Sequence, residues 1–181
     1  MCIRDREENR LKEVCKEVQS VGVVEIANYN CPGQLIVSGE TGAVEKLMEC
    51  AKIAGAKRCL PLPVSGAFHS PLMQPVREQL QGVIDDFTFS TPQTQIVANV
   101  TGDFVPTSDE IRRLLIQQVT SPVQWEKSIR AIDGVGISHF VEVGPGQALS
   151  SMVRRILPQP TYLNVEDVKS LEKTMEIIRN A

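Results

Sequence analysis

Two β-branched runs meet across a tight turn: VGVVEIANYN at residues 21–30 and LIVSG at 35–39, joined by Cys31-Pro-Gly-Gln34. Proline presets one turn position and glycine accepts a positive φ at the next, so the chain doubles back here. The two runs are expected to pair as an antiparallel hairpin. On either side the apolar period changes from strand-like to helical. Residues 6–18 place Leu11, Val14, Cys15 and Val18 on one helical face with charges opposite. Residues 41–55 repeat the pattern with Val44, Leu47, Met48 and Ala51, stopping at Gly55. The extended segment AKRCLPLPVS (56–65) follows, and Pro61 and Pro63 confine it to an edge or a crossover.

One strand ahead of the first helix would complete a βαββαβ sandwich of the ferredoxin-like kind. The chain begins where that strand should stand, so the front of this lobe is expected to be missing. After residue 65 the pattern changes. Ser70 and Pro71 suit a helix start, with Met73, Val76, Leu80, Val83 and Phe87 along the face expected to be buried. TQIVANVTG (94–102) reads as a strand, and Thr107-Ser-Asp-Glu110 as a capping box opening a helix over 108–119. SPVQW leads into a short helix carrying Ile129 and Ile132. SHFVEVGPG runs as a strand into a Gly-Pro-Gly turn, the helix QALSSMVRRIL follows, and Leu171, Met175 and Ile178 mark a last helix. Strands alternating with helices make an α/β layer fold.

Composition narrows the function classes. The 181 residues are 42% hydrophobic and 23% charged with a net charge of −3, which is no electrostatic footprint for nucleic acid. Apolar stretches such as Gly22–Ala27, itself broken by Glu25, and Leu35–Val37 are strand-sized and too short for a bilayer, so no membrane partner is expected. Five cysteines at Cys2, Cys15, Cys31, Cys50 and Cys59 show no metal-ligand spacing and read as buried thiols of a reducing compartment. MCIRDR has no apolar core of a secretory signal, so a cytoplasmic protein is expected.

SGAFHSPLM (65–73) carries His69, one of two histidines. A histidine beside Phe68 is commonly a hydrogen-bonded structural residue. A place just ahead of a helix N-terminus argues for a base, because the positive end of the helix dipole disfavours imidazolium. The residues alone leave both readings open. His139, at the edge of a strand, reads as structural. On the same terms Asn30 is a turn residue, Phe68 is core and Gln118 is an exposed helix end. No G-x-S-x-G elbow is present: Ser38, Ser65 and Ser70 all lack its glycines. That leaves a base without a nucleophile.

Five ordered segments nonetheless resemble one family: ANYNCPGQLIVSGE, LPVSGAFHSPLM, a strand ending NVTG, QQVTSPVQW and HFVEVGPGQAL. Together they resemble the malonyl-CoA:acyl carrier protein transacylases, the FabD-like acyltransferases of fatty acid synthesis. Acyltransferase domains of polyketide synthases share the pattern. The resemblance covers residues 7–181 and implies an α/β-hydrolase-like large domain with an inserted ferredoxin-like small domain. Residues 7–64 would be the small lobe without its first strand, and 65–181 the C-terminal part of the large one. Residues 1–6 match nothing in the family and read as a non-native leader.

By the same resemblance His69 is the catalytic histidine, and Gln118 offers its backbone carbonyl to the imidazole Nδ1. Asn30 faces the substrate cleft, and Phe68 fills the space an α-methyl group would need. The implied reaction moves a malonyl group from malonyl-CoA through a seryl ester to the thiol of acyl carrier protein, with no metal or redox cofactor. The family's serine elbow, carboxylate-binding arginine and oxyanion glutamine lie upstream of the small lobe, so a fragment inactive alone is expected, from an enzyme monomeric when complete. Two other readings stay open. One is an acyltransferase domain of a polyketide or multidomain fatty acid synthase; the other is a non-catalytic module that binds a small ligand.

Overall fold

The Pro32-Gly33 turn forms as its chemistry predicts, with Gly33 at φ 72°. It joins β2 (Val24–Cys31) to β3 (Gln34–Gly39) in an antiparallel register running from Val24↔Gly39 to Cys31↔Gln34. The computed structural model describes residues 1–4, 8–157 and 159–180. Helix α1 (Glu8–Val18) buries Leu11, Val14, Cys15 and Val18, the expected face. Positions 6 and 7 of the expected helix lie outside the described residues. Helix α2 (Thr41–Ile53) buries Ala43, Leu47 and Ala51, with Val44 and Met48 packed partly buried beside them.

The front of this lobe corrects the sequence reading. Residues Cys2–Arg4 form a strand, β1, between β3 and β4 (Arg58–Leu60), antiparallel to both, and the sheet order is β2-β3-β1-β4. The first strand is present. Three residues of the expected leader occupy its place, and residues 5 and 6 of that leader lie outside the described residues. Ile3 explains the fit. Its side chain, 1% exposed, enters the same core as Leu11, Val14, Val24, Val37 and Leu47. Full burial of such a side chain stabilises by about 1.5–3 kcal/mol.

The described residues part into two compact units, Met1–Ser128 and Ile129–Ala181. A physical tie accounts for the first. Residues 27–29 of β2 and Val123 form a parallel bridge, in which Tyr29 N donates to the Val123 carbonyl at 2.9 Å and Val123 N to the Ala27 carbonyl at 2.8 Å. After β4 this unit continues through a 3-10 turn (Pro71–Met73) into α3 (Gln74–Asp85). Of the expected apolar face of α3, Val76, Val83 and Phe87 stand in solvent, Phe87 65% exposed, and Ile84 is the buried residue of this helix. The apolar residues recur at helical spacing, but the face expected to be buried lies open.

The expected strand over 94–102 shortens to β5 (Ile96–Ala98), which pairs antiparallel with β6 (Asp103–Val105). Gly102 N donates to the Ala98 carbonyl at 2.8 Å and closes the turn between them. Gly102 has φ 61°, and a Cβ there would lie 2.8 Å from Cβ of Lys127. Helix α4 (Ser108–Gln118) starts where Thr107 Oγ1 accepts from Glu110 N at 3.2 Å. An Arg112–Asp85 ion pair joins it to α3. Helix α5 (Trp125–Asp133) follows.

The second unit holds a β-α-β crossover. Strand β7 (His139–Val143) runs parallel to β8 (Thr161–Val165), with α6 (Ala148–Ile156) between them in sequence and α7 (Val168–Arg179) after. The sequence reading passed over β8. TYLNV carried the signal in its β-branched and aromatic residues, directly after a proline-containing break. Helix α7 begins with a reciprocal capping box between Asp167 and Ser170. Leu171, Met175 and Ile178 lie on it as expected but are exposed.

Candidate active site

His69 and Gln118, 49 residues apart in sequence, meet in the first unit, where His69 Nδ1 lies 2.9 Å from the Gln118 carbonyl oxygen. A carbonyl only accepts, so Nδ1 carries a proton, and in the neutral ring Nε2 is then the nitrogen with the lone pair. The Gln118 amide Nε2 also lies 3.3 Å from Nδ1. Both nitrogens are donors in that tautomer, so the carbonyl bond sets the geometry and the amide is only a neighbour. The amide donates instead to the Ser121 carbonyl at 2.9 Å. That bond holds the end of α4 in the turn that presents the Gln118 carbonyl.

The loop carrying the imidazole is unusual. His69 has φ 60°, the only positive φ of a non-glycine residue among the described residues. Such a conformation costs about 1–3 kcal/mol and persists where its surroundings hold it. Ser70 is fully buried and its Oγ donates to the Ala67 carbonyl at 2.6 Å. The sequence reading made Ser70 a helix cap. It does stand at the N-cap position of the 3-10 turn, but its hydroxyl makes no cap bond and turns back into the loop. Nothing in the residue pattern marks the positive φ, where glycine would be the usual choice.

The other expected residues stand as follows. Asn30 is half-buried near the end of β2, and no hydrogen bond joins it to His69 or Gln118. Phe68 is 48% exposed, which corrects its reading as a core residue. Its ring lies over Gly66, where a Cβ would meet Phe68 Cε2 at 3.4 Å. Gln118 is half-buried rather than the exposed helix end that its position in the sequence implies, and its carbonyl meets the imidazole. His139 opens β7, with its Nδ1 2.9 Å from Ser138 Oγ. Thr120, which the sequence reading did not single out, receives Arg77 from α3 at 3.4 Å and secures the turn after Gln118.

In the second unit, HFVEVGPGQAL forms a strand-to-helix junction. The Glu142 carboxylate accepts from Leu149 N at 3.0 Å and Ser150 N at 2.8 Å, at the positive end of α6. Burial works to raise the Glu142 carboxyl, but the Ser150 amide and hydroxyl and the Leu149 amide together hold it below the usual carboxylate range. All five cysteines are free thiols, and burial pushes Cys15 up to about 11.

An imidazole held as the Nδ1–H tautomer by a peptide carbonyl can take a proton at Nε2 and return it. Known proteins resemble the chain along most of its length. The chain is 38% identical over 170 residues to the malonyl CoA-acyl carrier protein transacylase of Bacillus subtilis, covering 93% of this chain and 54% of that protein. The chain is a homologue of the malonyl CoA-acyl carrier protein transacylases. The Escherichia coli K12 transacylase is 35% identical over 167 residues, covering 92% of this chain and 54% of its own length. Among solved structures, the transacylase of Clostridium perfringens superposes with a TM-score of 0.94 at 38% identity, over 99% of this chain and 56% of that one. A malonyl-transacylase solved with a type II polyketide synthase acyl carrier protein gives a TM-score of 0.93 at 34% identity, over 97% of this chain and 57% of that one. No family model matches the chain. This chain therefore spans about half the length of the transacylases it matches, and the matched part is their C-terminal half.

Proposed function

We propose that this chain supplies the histidine half of a malonyl transfer site, with His69 as the general base and acid. The observation that carries the reading is the Nδ1 contact of 2.9 Å with the Gln118 carbonyl, which leaves Nε2 free to act. The reaction is a two-step acyl exchange. A serine hydroxyl gives its proton to His69 Nε2 and attacks the thioester carbonyl of malonyl-CoA, and the proton then passes to the departing coenzyme A thiolate. The phosphopantetheine thiol of acyl carrier protein next gives its proton to Nε2 and attacks the seryl ester, and the serine oxygen recovers that proton. Gln118 fills the orienting role that a carboxylate has in a triad. The serine belongs to a segment not contained in these 181 residues.

Asn30 lines the substrate cleft in this reading, and Phe68 stands beside the acyl group. The sheet order β2-β3-β1-β4, antiparallel throughout, supports a ferredoxin-like small lobe made of residues 2–4 and 8–64. The parallel β7-α6-β8 crossover supports 65–181 as part of an α/β-hydrolase-like large domain. Five free thiols support a cytoplasmic protein. Among the described residues no helix is long and apolar enough to cross a membrane. The likeness to a transacylase solved with a polyketide carrier protein favours one second reading, in which the carrier belongs to a polyketide synthase.

The test is an intact-mass measurement after incubation with malonyl-CoA. Alone, the chain gains no stable malonyl adduct. A chimera in which the unmatched portion of the Bacillus subtilis relative precedes this chain gains one, on the serine of that portion. A stable adduct on the chain alone would overturn the assignment.

A further inference from the structure

We infer that Ser70 is a positioning residue for His69: its hydroxyl locks the turn that selects the imidazole tautomer. The side chain of Ser70 is wholly buried, and its Oγ donates to the Ala67 carbonyl at 2.6 Å, closing a loop of four residues around His69. The Ser70 carbonyl in turn accepts from Met73 N at 3.1 Å, which anchors the far side of the loop to the 3-10 turn. Pro71 adds stiffness, because the residue before a proline is kept extended, and Ser70 has φ −130° and ψ 164°. Between these two anchors His69 is held at φ 60°.

The consequence reaches the ring. An L-residue leaves the left-handed region when its surroundings let it. Once Oγ is removed, the Ala67 carbonyl loses its donor and the loop relaxes. Cα of His69 then turns, and Nδ1 moves off the Gln118 carbonyl, now 2.9 Å away. A neutral imidazole without that acceptor shifts its proton toward Nε2, the nitrogen that must be bare to act as a base. Ser70 therefore sets the protonation site without touching a substrate. The link to the tautomer stands on the contacts of the turn alone; its meaning for catalysis rests on the reading above.

The experiment is nitrogen NMR of the ring in the 181-residue chain, with histidine labelled and the pH held where His69 is neutral. In the unmodified chain Nδ1 resonates as a protonated nitrogen and Nε2 as a bare one. Ser70→Ala is expected to move the two shifts toward each other or to exchange them, while the backbone spectrum of β1–β4 and the His139 ring signals stay in place. Ser70→Cys, which keeps the volume and offers only a weak donor, should fall between. It also decides the matter if Ser70→Ala does not fold: displaced shifts support the inference. Shifts like those of the unmodified chain in a folded Ser70→Ala, or in Ser70→Cys when that is the only folded variant, overturn it. The readout is independent of acyl transfer, so an inactive chimera would count against the proposed function and leave this result standing.

Discussion

Phe68 separates packing from specificity. Its ring is half in solvent and leans over Gly66, so it is not needed to fill a core. In the proposed function it borders the acyl group and leaves no room for an α-methyl. Phe68→Ser in the chimera should shift the preference for methylmalonyl over malonyl by about 1–3 kcal/mol, the usual size of discrimination by one methyl group. A competition assay with equal amounts of both CoA esters reads it directly, and an unchanged product ratio would remove Phe68 from the specificity account. His69 itself was half legible. Its residue type and its place beside Ser70-Pro71 were enough to nominate it, but neither its backbone strain nor its carbonyl partner follows from local sequence. A contact across 49 residues is made by the packing of α3 against α4, not by any motif around the histidine.

At the scale of elements, helices with a strong apolar period were legible, and short strands were not. The α1 face was read residue for residue because a two-sided helix needs no knowledge of its partner. The strand β1 was missed because three residues carry no period, and β8 because a short run behind a proline-containing break looks like loop. The place of β1 yields a direct test. Ile3 is 1% exposed at the centre of a four-stranded sheet, so Ile3→Ala should lower unfolding stability by about 2–5 kcal/mol. Denaturant titration with an unchanged m-value would show it. A loss near zero would mean that residues 2–4 do not form the central strand. Gly102→Ala should also destabilise, since φ 61° disfavours a side chain and a Cβ there would crowd Lys127. Urea midpoints compared with Gly82→Ala, where a Cβ meets nothing within 4 Å, isolate the effect.

At the scale of the whole chain, both units carry helices whose apolar stripes lie open, α3 in the first and α7 in the second. The sequence pattern predicted those stripes as buried, and a pattern states only that a face seeks cover, not whether these residues provide it. The transacylases it matches are nearly twice as long, so half of such a protein lies beyond what this chain aligns with. The central claim is that His69, and not His139, moves the proton in acyl transfer. The measurement is the rate of malonyl transfer to acyl carrier protein by the chimera carrying either substitution. His69→Ala should cut that rate by about 10²–10⁴, as the loss of a general base does, whereas His139→Ala should stay within a few-fold of the unsubstituted chimera. Equal losses from the two substitutions, or a His69→Ala chimera that transfers at the full rate, would contradict the account.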